Sequence, residues 1–326
     1  MNYYKPANAD LEISQMAMGS WALGGDSYWG ASPDEKLAFS AVDAALDMGI
    51  NLFDTAESYG GGGSDEFLGR AMAGRRGKFI ISEKIYLDKL HEADMARSLE
   101  LSLKLLKTDY VDILSPHFAS REVPFEETFG AMEKMQKQGK VRYLGLSNFG
   151  VQSLRKVEEI GMIDKIVLHQ LPYNLLLRAV EFGILQETQK HGIGIVCYST
   201  LAQGLLTGRY QQTEQVPENL KVVGFFRSKE REQELFKAIR AITSYCRDNG
   251  LSMPATSIAW LLKQPGVASV LTGASTPMEL QQNEKALEVD PNPRMVEELS
   301  ALTERLKELM GSNADMWNGE EDSRIY

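Results

Sequence analysis

The sequence predicts an α/β protein, a single (β/α)8 TIM barrel domain over residues 1–326, with a long loop after strand seven and a polar C-terminal tail. Three observations carry that prediction. Short apolar runs rich in Val, Ile, Leu and Phe alternate with longer amphipathic stretches along nearly the whole chain, and there are eight such runs. The runs are continuous rather than alternating, as suits strands buried on both faces of a parallel sheet. Eight β/α units in about 300 residues fit a closed barrel better than an open doubly wound sheet. An open dinucleotide-binding sheet would also need G-x-G-x-x-G directly after its first strand. The one glycine cluster, residues 60–63, begins six residues after Asp54 and lacks the third glycine of that pattern, so it reads as a permissive turn.

The strands are expected at residues 16–19, 50–54, 79–82, 110–114, 141–146, 166–169, 194–198 and 267–272. Helical stretches lie between them, among them 34–48, 90–106, 125–138, 151–160 and 277–287, with a final helix at about 294–310. Ser32-Pro33-Asp34-Glu35 suggests a capping box, with Ser32 at the N-cap, Pro33 at the first helical position and Glu35 at the third. Two segments exceed minimal barrel connections: residues 202–229 and the tail 313–326. Long loops in compact domains are more often functional than decorative, and both are placed to cover the barrel mouth.

Composition narrows the function classes. Thirty-five Lys and Arg against 45 Asp and Glu give a net charge of −10, which argues against a nucleic-acid surface. Hydrophobic residues at 43% and charged residues at 25% support a sizeable core and exclude disorder, collagen and coiled coil. No apolar run approaches the roughly 18 residues of a membrane span. Residues 1–10 (MNYYKPANAD) have neither a basic nor an apolar signal region, so no signal peptide is expected. Two cysteines, Cys197 and Cys246, make no disulfide framework; reduced thiols and a cytoplasmic location are expected.

In a barrel, chemistry sits at the carboxyl ends of the strands. The residues closing or following the runs are Asp54 with Tyr59 five residues on, Lys84, His117, Ser147 with Asn148, His169 with Gln170, Tyr198 with Ser199, and Gly273. Singly, each has an ordinary reading: Asp54 as a turn cap, Lys84 as a solvated rim lysine, His117 as a satisfied rim histidine, Tyr59 as a loop aromatic. An Asp, a Tyr, a Lys and a His arriving in turn on three consecutive strand ends is not what independent rim residues produce.

Several motifs agree on a family. Residues 51–60 (NLFDTAESYG), 81–84 (ISEK), 112–117 (DILSPH), 143–149 (YLGLSNF), Gln170 with Tyr173-Asn174, and 198–208 (YSTLAQGLLTG) resemble the aldo-keto reductases, in order and at suitable spacings from Met18 to about Leu287. The opening, residues 19–30 (GSWALGGDSYWG), is similar to the bacterial branch of general stress and inositol-associated reductases.

The resemblance implies hydride transfer between nicotinamide C4 and a carbonyl or alcohol carbon. It implies Tyr59 as proton donor, Lys84 lowering the phenol pKa, Asp54 keeping Lys84 charged and aimed, and His117 orienting the substrate oxygen. It further implies Ser147, Asn148 and Gln170 on the nicotinamide carboxamide and Tyr198 stacked on the ring. Ser199, Leu201, Gln203 and Gly204 match the pyrophosphate loop, and Gly273, Ala274, Ser275, Glu279, Gln282 and Asn283 the adenosine end. Relatives that prefer NADP usually carry Arg or Lys in this last stretch, whereas residues 273–283 (GASTPMELQQN) have none. The expected cofactor is therefore NAD(P)(H), leaning to NAD(H) on Ser275 and Glu279. Arg209, Arg227, Lys229 or Arg231 from the long loop is the alternative route to a 2′-phosphate.

The expected partner is a small carbonyl compound or sugar, walled by Trp21, Trp29, Tyr86 and Phe118. Arg227 and Arg324 read first as solvated surface arginines, and second as ligands of an anionic or polyhydroxylated substrate. Two other functions compete: a cofactor-binding sensor with little turnover, and a Schiff-base aldolase using Lys84. A metal site on Asp54, Glu57 and His117 is geometrically open, but the spacing is not ligand-like and none is expected. His91 and His191 read as surface helix residues.

Overall fold

A computed structural model describes residues 1–25, 30, 32–221 and 223–326. Eight parallel strands close into a barrel: β1 (Met16–Gly19), β2 (Leu52–Asp54), β3 (Ile80–Ile85), β4 (Val111–Pro116), β5 (Val141–Ser147), β6 (Ile166–Pro172), β7 (Gly194–Tyr198) and β8 (Val267–Gly273). Closure comes from β8 pairing with β1 on one side, Gly273 opposite Gly19, and with β7 on the other. Several strands run past their expected ends because the polar residues there stay in the ladder: Lys84 faces Ser115, and Ser147 faces Gln170. The register sets Gly19, Asp54 and Ser82 side by side, and Pro172 beside Tyr198, so the predicted polar residues gather on one rim.

The interior is filled from the other end. Ala17, Leu52, Ile113, Val167, Val196 and Ala268 point inward and pack with Leu11 and Ile13. Ile13 belongs to a short antiparallel hairpin, Tyr3–Tyr4 with Ile13–Ser14, that seals the amino end. Outside, helices α1 (Glu35–Asp47), α2 (Gly63–Ala71), α3 (Glu92–Leu106), α4 (Phe125–Lys137), α5 (Val151–Glu159) and α6 (Ile184–Lys190) follow the first six strands. After β7 come α7 (Lys229–Asp248) and α8 (Met253–Leu262); after β8 come α9 (Pro277–Glu284) and α10 (Pro293–Met310). Each helix lays an apolar stripe on the outer faces of the strands, which is why the strand sequences are apolar throughout.

The capping box does not form at Ser32. Asp34 is the N-cap of α1, its carboxylate accepting from the Leu37 N–H at 2.9 Å, because a carboxylate one turn below a free N–H outcompetes a hydroxyl two residues farther back. A capping box does form at α9, between Thr276 and Glu279. The loop after β7 is a chain of short 3-10 turns, Ala202–Thr207, Thr213–Gln215, Glu218–Leu220 and Gly224–Phe226. The tail is polar in composition yet packed: Ala314, Asp315, Met316, Ser323 and Ile325 are all buried. Among the described residues no helix is long and apolar enough to cross a membrane.

Candidate active site

A cavity of about 890 Å3 opens at the carboxyl rim, within the size range of small-molecule and cofactor sites. Asp54, Tyr59 and His117 line it, and Lys84 stands just behind the wall. All three ammonium hydrogens of Lys84 are committed: to both carboxylate oxygens of Asp54 at 2.7 Å and to the Thr55 carbonyl at 2.5 Å. With 1% exposure, Lys84 would be untenable without that pairing. Its nitrogen lies 5.0 Å from the centroid of the Tyr59 ring. Tyr59 is steered between Trp21, stacked at 5.6 Å, and His117, edge-on at 5.8 Å. The three left-handed glycines 60–62 turn the chain sharply after it, and a Cβ on Gly60 would strike the Gly24 carbonyl at 2.5 Å.

His117 has its pKa held well below the usual imidazole value by burial and by the charges of Lys84 and Arg324. The ring is neutral at pH 7, with Nδ1 buried and unbonded. His169, by contrast, is a core histidine: burial lowers its pKa to about 3, and Nε2 accepts the Phe149 N–H at 3.1 Å. Tyr198 is pushed up by burial and donates to Asn148 Oδ1 at 2.9 Å, so it is fixed as a phenol.

Beneath Lys84 lies a pair that sequence reading missed. Asp65 and Glu83 are fully buried, and one oxygen on each lacks a partner. The two side chains face each other; burial raises both pKa values, and the charge of Asp65 adds to the strong rise at Glu83. Glu83 therefore holds its proton toward Asp65, which also has the Ser102 hydroxyl beside it. The remaining oxygens take the Thr55 hydroxyl at 2.7 Å and the Lys84 N–H at 3.0 Å. The signal was present in ISEK and SDEF as acidic residues beside a strand lysine, but no spacing rule marks two carboxyls that meet only across the barrel wall.

Of the residues expected to hold a cofactor, Asn148, Gln170, Tyr198, Ser199, Leu201, Gln203, Gly204, Gly273, Ala274, Ser275, Glu279 and Asn283 line the cavity. Ser147 sits behind Asn148, which donates to its hydroxyl at 3.1 Å, and Gln282 is exposed outside the cavity lining. Gln170 is tied to the Asp54–Lys84 pair, its amide donating to Asp54 at 2.7 Å. Among the described non-glycine residues five have positive φ, and three of those, Asn148, Ser199 and Gln203, line the cavity. Backbone strain of this kind costs about 1–3 kcal/mol per residue and collects at ligand sites. Glu279 is less available than expected: one oxygen accepts the Ser275 and Thr276 N–H groups and the Ser275 hydroxyl at 2.8–3.2 Å, closing its own helix turn. A cavity of this volume, lined by the Asn148 and Gln170 amides and by Ser275 and Glu279 at the start of α9, suits a nicotinamide dinucleotide.

Trp21, Tyr86 and Phe118 wall the other end, while Trp29 lies outside the described residues. The tail adds Trp317, which sequence reading did not single out, and Arg324, which it read first as a solvated surface arginine. Arg227 does stay off the cavity; it donates to the Trp317 carbonyl and so fastens the tail. Arg231 is likewise engaged, on the Leu309 carbonyl at 3.1 Å, and of the loop cations only Arg209 reaches the cavity wall. Glu57 is taken by Lys89 at 2.6 Å and turned from Asp54. His191 lies near Glu158 and Glu187, but those carboxylates already hold Lys190 and Arg155.

The family model for the aldo/keto reductase family matches residues 15–304. The aldo-keto reductase YhdN of Bacillus subtilis is 33% identical over 295 residues, covering 86% of this chain and 87% of its own. An NADH-specific methylglyoxal reductase of Escherichia coli is 27% identical over 91% of this chain and 97% of its own. Among solved structures, an aldo/keto reductase from Klebsiella pneumoniae in complex with NADP and acetate superposes with a TM-score of 0.73 at 26% identity, covering 90% of this chain and 92% of that one. The barrel, the rim constellation and these matches agree: the chain belongs to the aldo/keto reductase family, a family of NAD(P)-dependent oxidoreductases.

Proposed function

We propose that the protein reduces an aldehyde or ketone to the alcohol, or runs the reverse reaction, with Tyr59 as proton donor. The observation that carries this reading is the meeting of Tyr59, His117 and the Lys84–Asp54 pair at one cavity. Bound NAD(P)H would supply hydride to the carbonyl carbon, and the oxygen, as it becomes an alkoxide, would take one proton from this chain's own residues. His117, neutral, holds the carbonyl oxygen through an Nε2–H facing the cavity, which its buried, unbonded Nδ1 leaves as the protonated nitrogen. Tyr59 delivers the proton, and Lys84, held as an ammonium by Asp54, stabilises the phenolate that results. Asn148 and Gln170 suit the carboxamide, with Gln170 offering its carbonyl once its amide is on Asp54.

An aldolase reading does not suit Lys84, because its three hydrogens are all bonded and no lone pair is free to attack. A sensor reading leaves unexplained why Asp54, Tyr59 and His117 line the cavity with Lys84 paired just behind its wall. The substrates that suit aromatic walls are small aldehydes and sugar-derived carbonyls. NAD(H) is the preferred dinucleotide, since residues 273–283 carry no cation to meet a 2′-phosphate. Two buried free thiols suit a reducing cytoplasm.

Tyr59→Phe tests the assignment. Turnover should fall at least about 100-fold with cofactor affinity nearly unchanged, since the hydroxyl acts only as charge develops on the substrate oxygen. Retention of more than about a tenth of wild-type kcat would make Tyr59 the wrong donor.

A further inference from the structure

Arg324 is the feature of the cavity that the catalytic reading leaves unused. Its side chain is 24% exposed, and its orientation is fixed from two sides. Asp315, itself buried, accepts from Nε at 2.9 Å, from Nη2 at 3.0 Å and from the Arg324 backbone N–H at 3.0 Å. The guanidinium carbon lies 4.1 Å above the Phe118 ring, and Phe118 is itself stacked on His117 at 5.3 Å and 17°. The cation is thus held one ring away from the group that would grip the reacting oxygen.

A guanidinium has five N–H donors, and Asp315 uses the edge formed by Nε and Nη2. Of the remaining edge, Nη1 has the Tyr86 hydroxyl at the outer limit of 3.5 Å, its one partner among the described residues. That leaves a planar fork shaped for a carboxylate or phosphate. Asp315 does not compete for the incoming group: its oxygens also take the Trp317 and Asn318 N–H groups and the Asn318 amide, and it is not on the cavity wall. Lys84 has its hydrogens on Asp54 and Thr55 and His117 is uncharged, so at this end Arg324, although Asp315 balances its charge, is the cation with N–H donors still open to a ligand.

We propose that Arg324 is a specificity-determining residue that binds a carboxylate or phosphate carried by the carbonyl substrate a few bonds from the reacting carbon. This rests on the carbonyl-reductase reading above for the chemistry, though not for the anion site itself.

The test compares 4-oxobutanoate with its uncharged methyl ester, using the full chain, NADH and three forms: wild type, Arg324→Met and Arg324→Lys. The wild type should prefer the acid. Arg324→Met should lower the acid-to-ester ratio of kcat/KM at least tenfold, mainly through KM, with Arg324→Lys recovering part of it. Raising salt should raise KM for the acid and not for the ester. An equal loss on both substrates would make Arg324 a strut of the tail and overturn the proposal, as would a wild type with no preference. Binding of the product, 4-hydroxybutanoate, followed by the fluorescence of Trp21 and Trp317, separates the two readings. Arg324-dependent binding without turnover would keep the anion site and sink the reductase reading. Binding indifferent to Arg324→Met would sink the anion site.

Discussion

Lys84 and Glu83 are chain neighbours with opposite fates, and the contrast shows how much a single side chain's partners decide. Lys84 keeps its charge in the core because three acceptors surround it; Glu83 holds its proton because burial, and then the neighbouring Asp65, disfavour its charge. In the unfolded chain Glu83 ionises near pH 4.3. In the folded protein its pKa is raised, so folding retains a proton that the unfolded chain releases. The sign follows: this contribution to stability is fully present below the unfolded pKa and is lost as pH rises through the folded one. Glu83→Gln has no proton to lose and offers an amide N–H to Asp65. Its Tm relative to wild type should therefore climb between about pH 5 and pH 8, by at least about 2 °C, a shift that roughly 1 kcal/mol produces in a large domain. A difference that stays flat with pH in calorimetry would mean that the two carboxyls share no proton.

At the scale of one element, α9 joins folding and cofactor choice. Its sequence, Thr276-Pro277-Met278-Glu279, closes a capping box, and the Glu279 carboxylate that sequence reading aimed at a ribose is bonded first to its own turn. The charge is still on the cavity wall, with no basic residue from 273 to 283 to offset it. NADH should bind about tenfold tighter than NADPH, a difference of about 1.4 kcal/mol. Ser275→Arg with Glu279→Gln should reverse the order, and glutamine preserves the capping box, so the helix start survives. Fluorescence titration of both dinucleotides decides it. Tighter NADPH binding by the wild type, abolished in Arg209→Ala, would assign the 2′-phosphate to Arg209 instead.

Across the whole molecule, the tail is the piece that completes the site. It docks where β5 turns into α5: the Tyr326 carbonyl accepts the Ser153 N–H at 3.0 Å and the Ser153 hydroxyl at 2.7 Å. Arg121 holds the Ser323 carbonyl at 2.9 Å, and the Gly224 N–H holds that of Met316 at 2.8 Å. From there Trp317 reaches Trp21 at 6.4 Å, and Trp21 stacks on Tyr59. Gly150 makes room for the docking, since a Cβ there would sit 2.5 Å from the Tyr326 carbonyl. Gly150→Ala should dislodge the tail while the barrel stays folded. Catalytic efficiency should fall at least about tenfold, and far-ultraviolet circular dichroism should be unchanged; full activity in this variant would show that the tail is dispensable.

The strand pattern, the fold and the residues of the rim were legible because each depends on local periodicity or on a position at a strand end. Eight apolar runs imply eight buried strands whatever surrounds them, and a parallel barrel puts all their carboxyl ends on one side. Asp54, Tyr59, Lys84 and His117 follow from that rule. What the sequence could not determine is pairing between residues far apart in the chain. Asp65 meets Glu83, Asp315 holds Arg324 beside Phe118, and Gly150 admits Tyr326 only once the barrel has closed. Cap competition belongs to the same class: Asp34 displaced Ser32, and Glu279 turned to its own backbone, because hydrogen-bond geometry in the folded chain chose among donors and acceptors that the sequence offered equally. Periodicity is written residue by residue, whereas desolvation and donor–acceptor matching exist only when the tertiary structure brings the groups together.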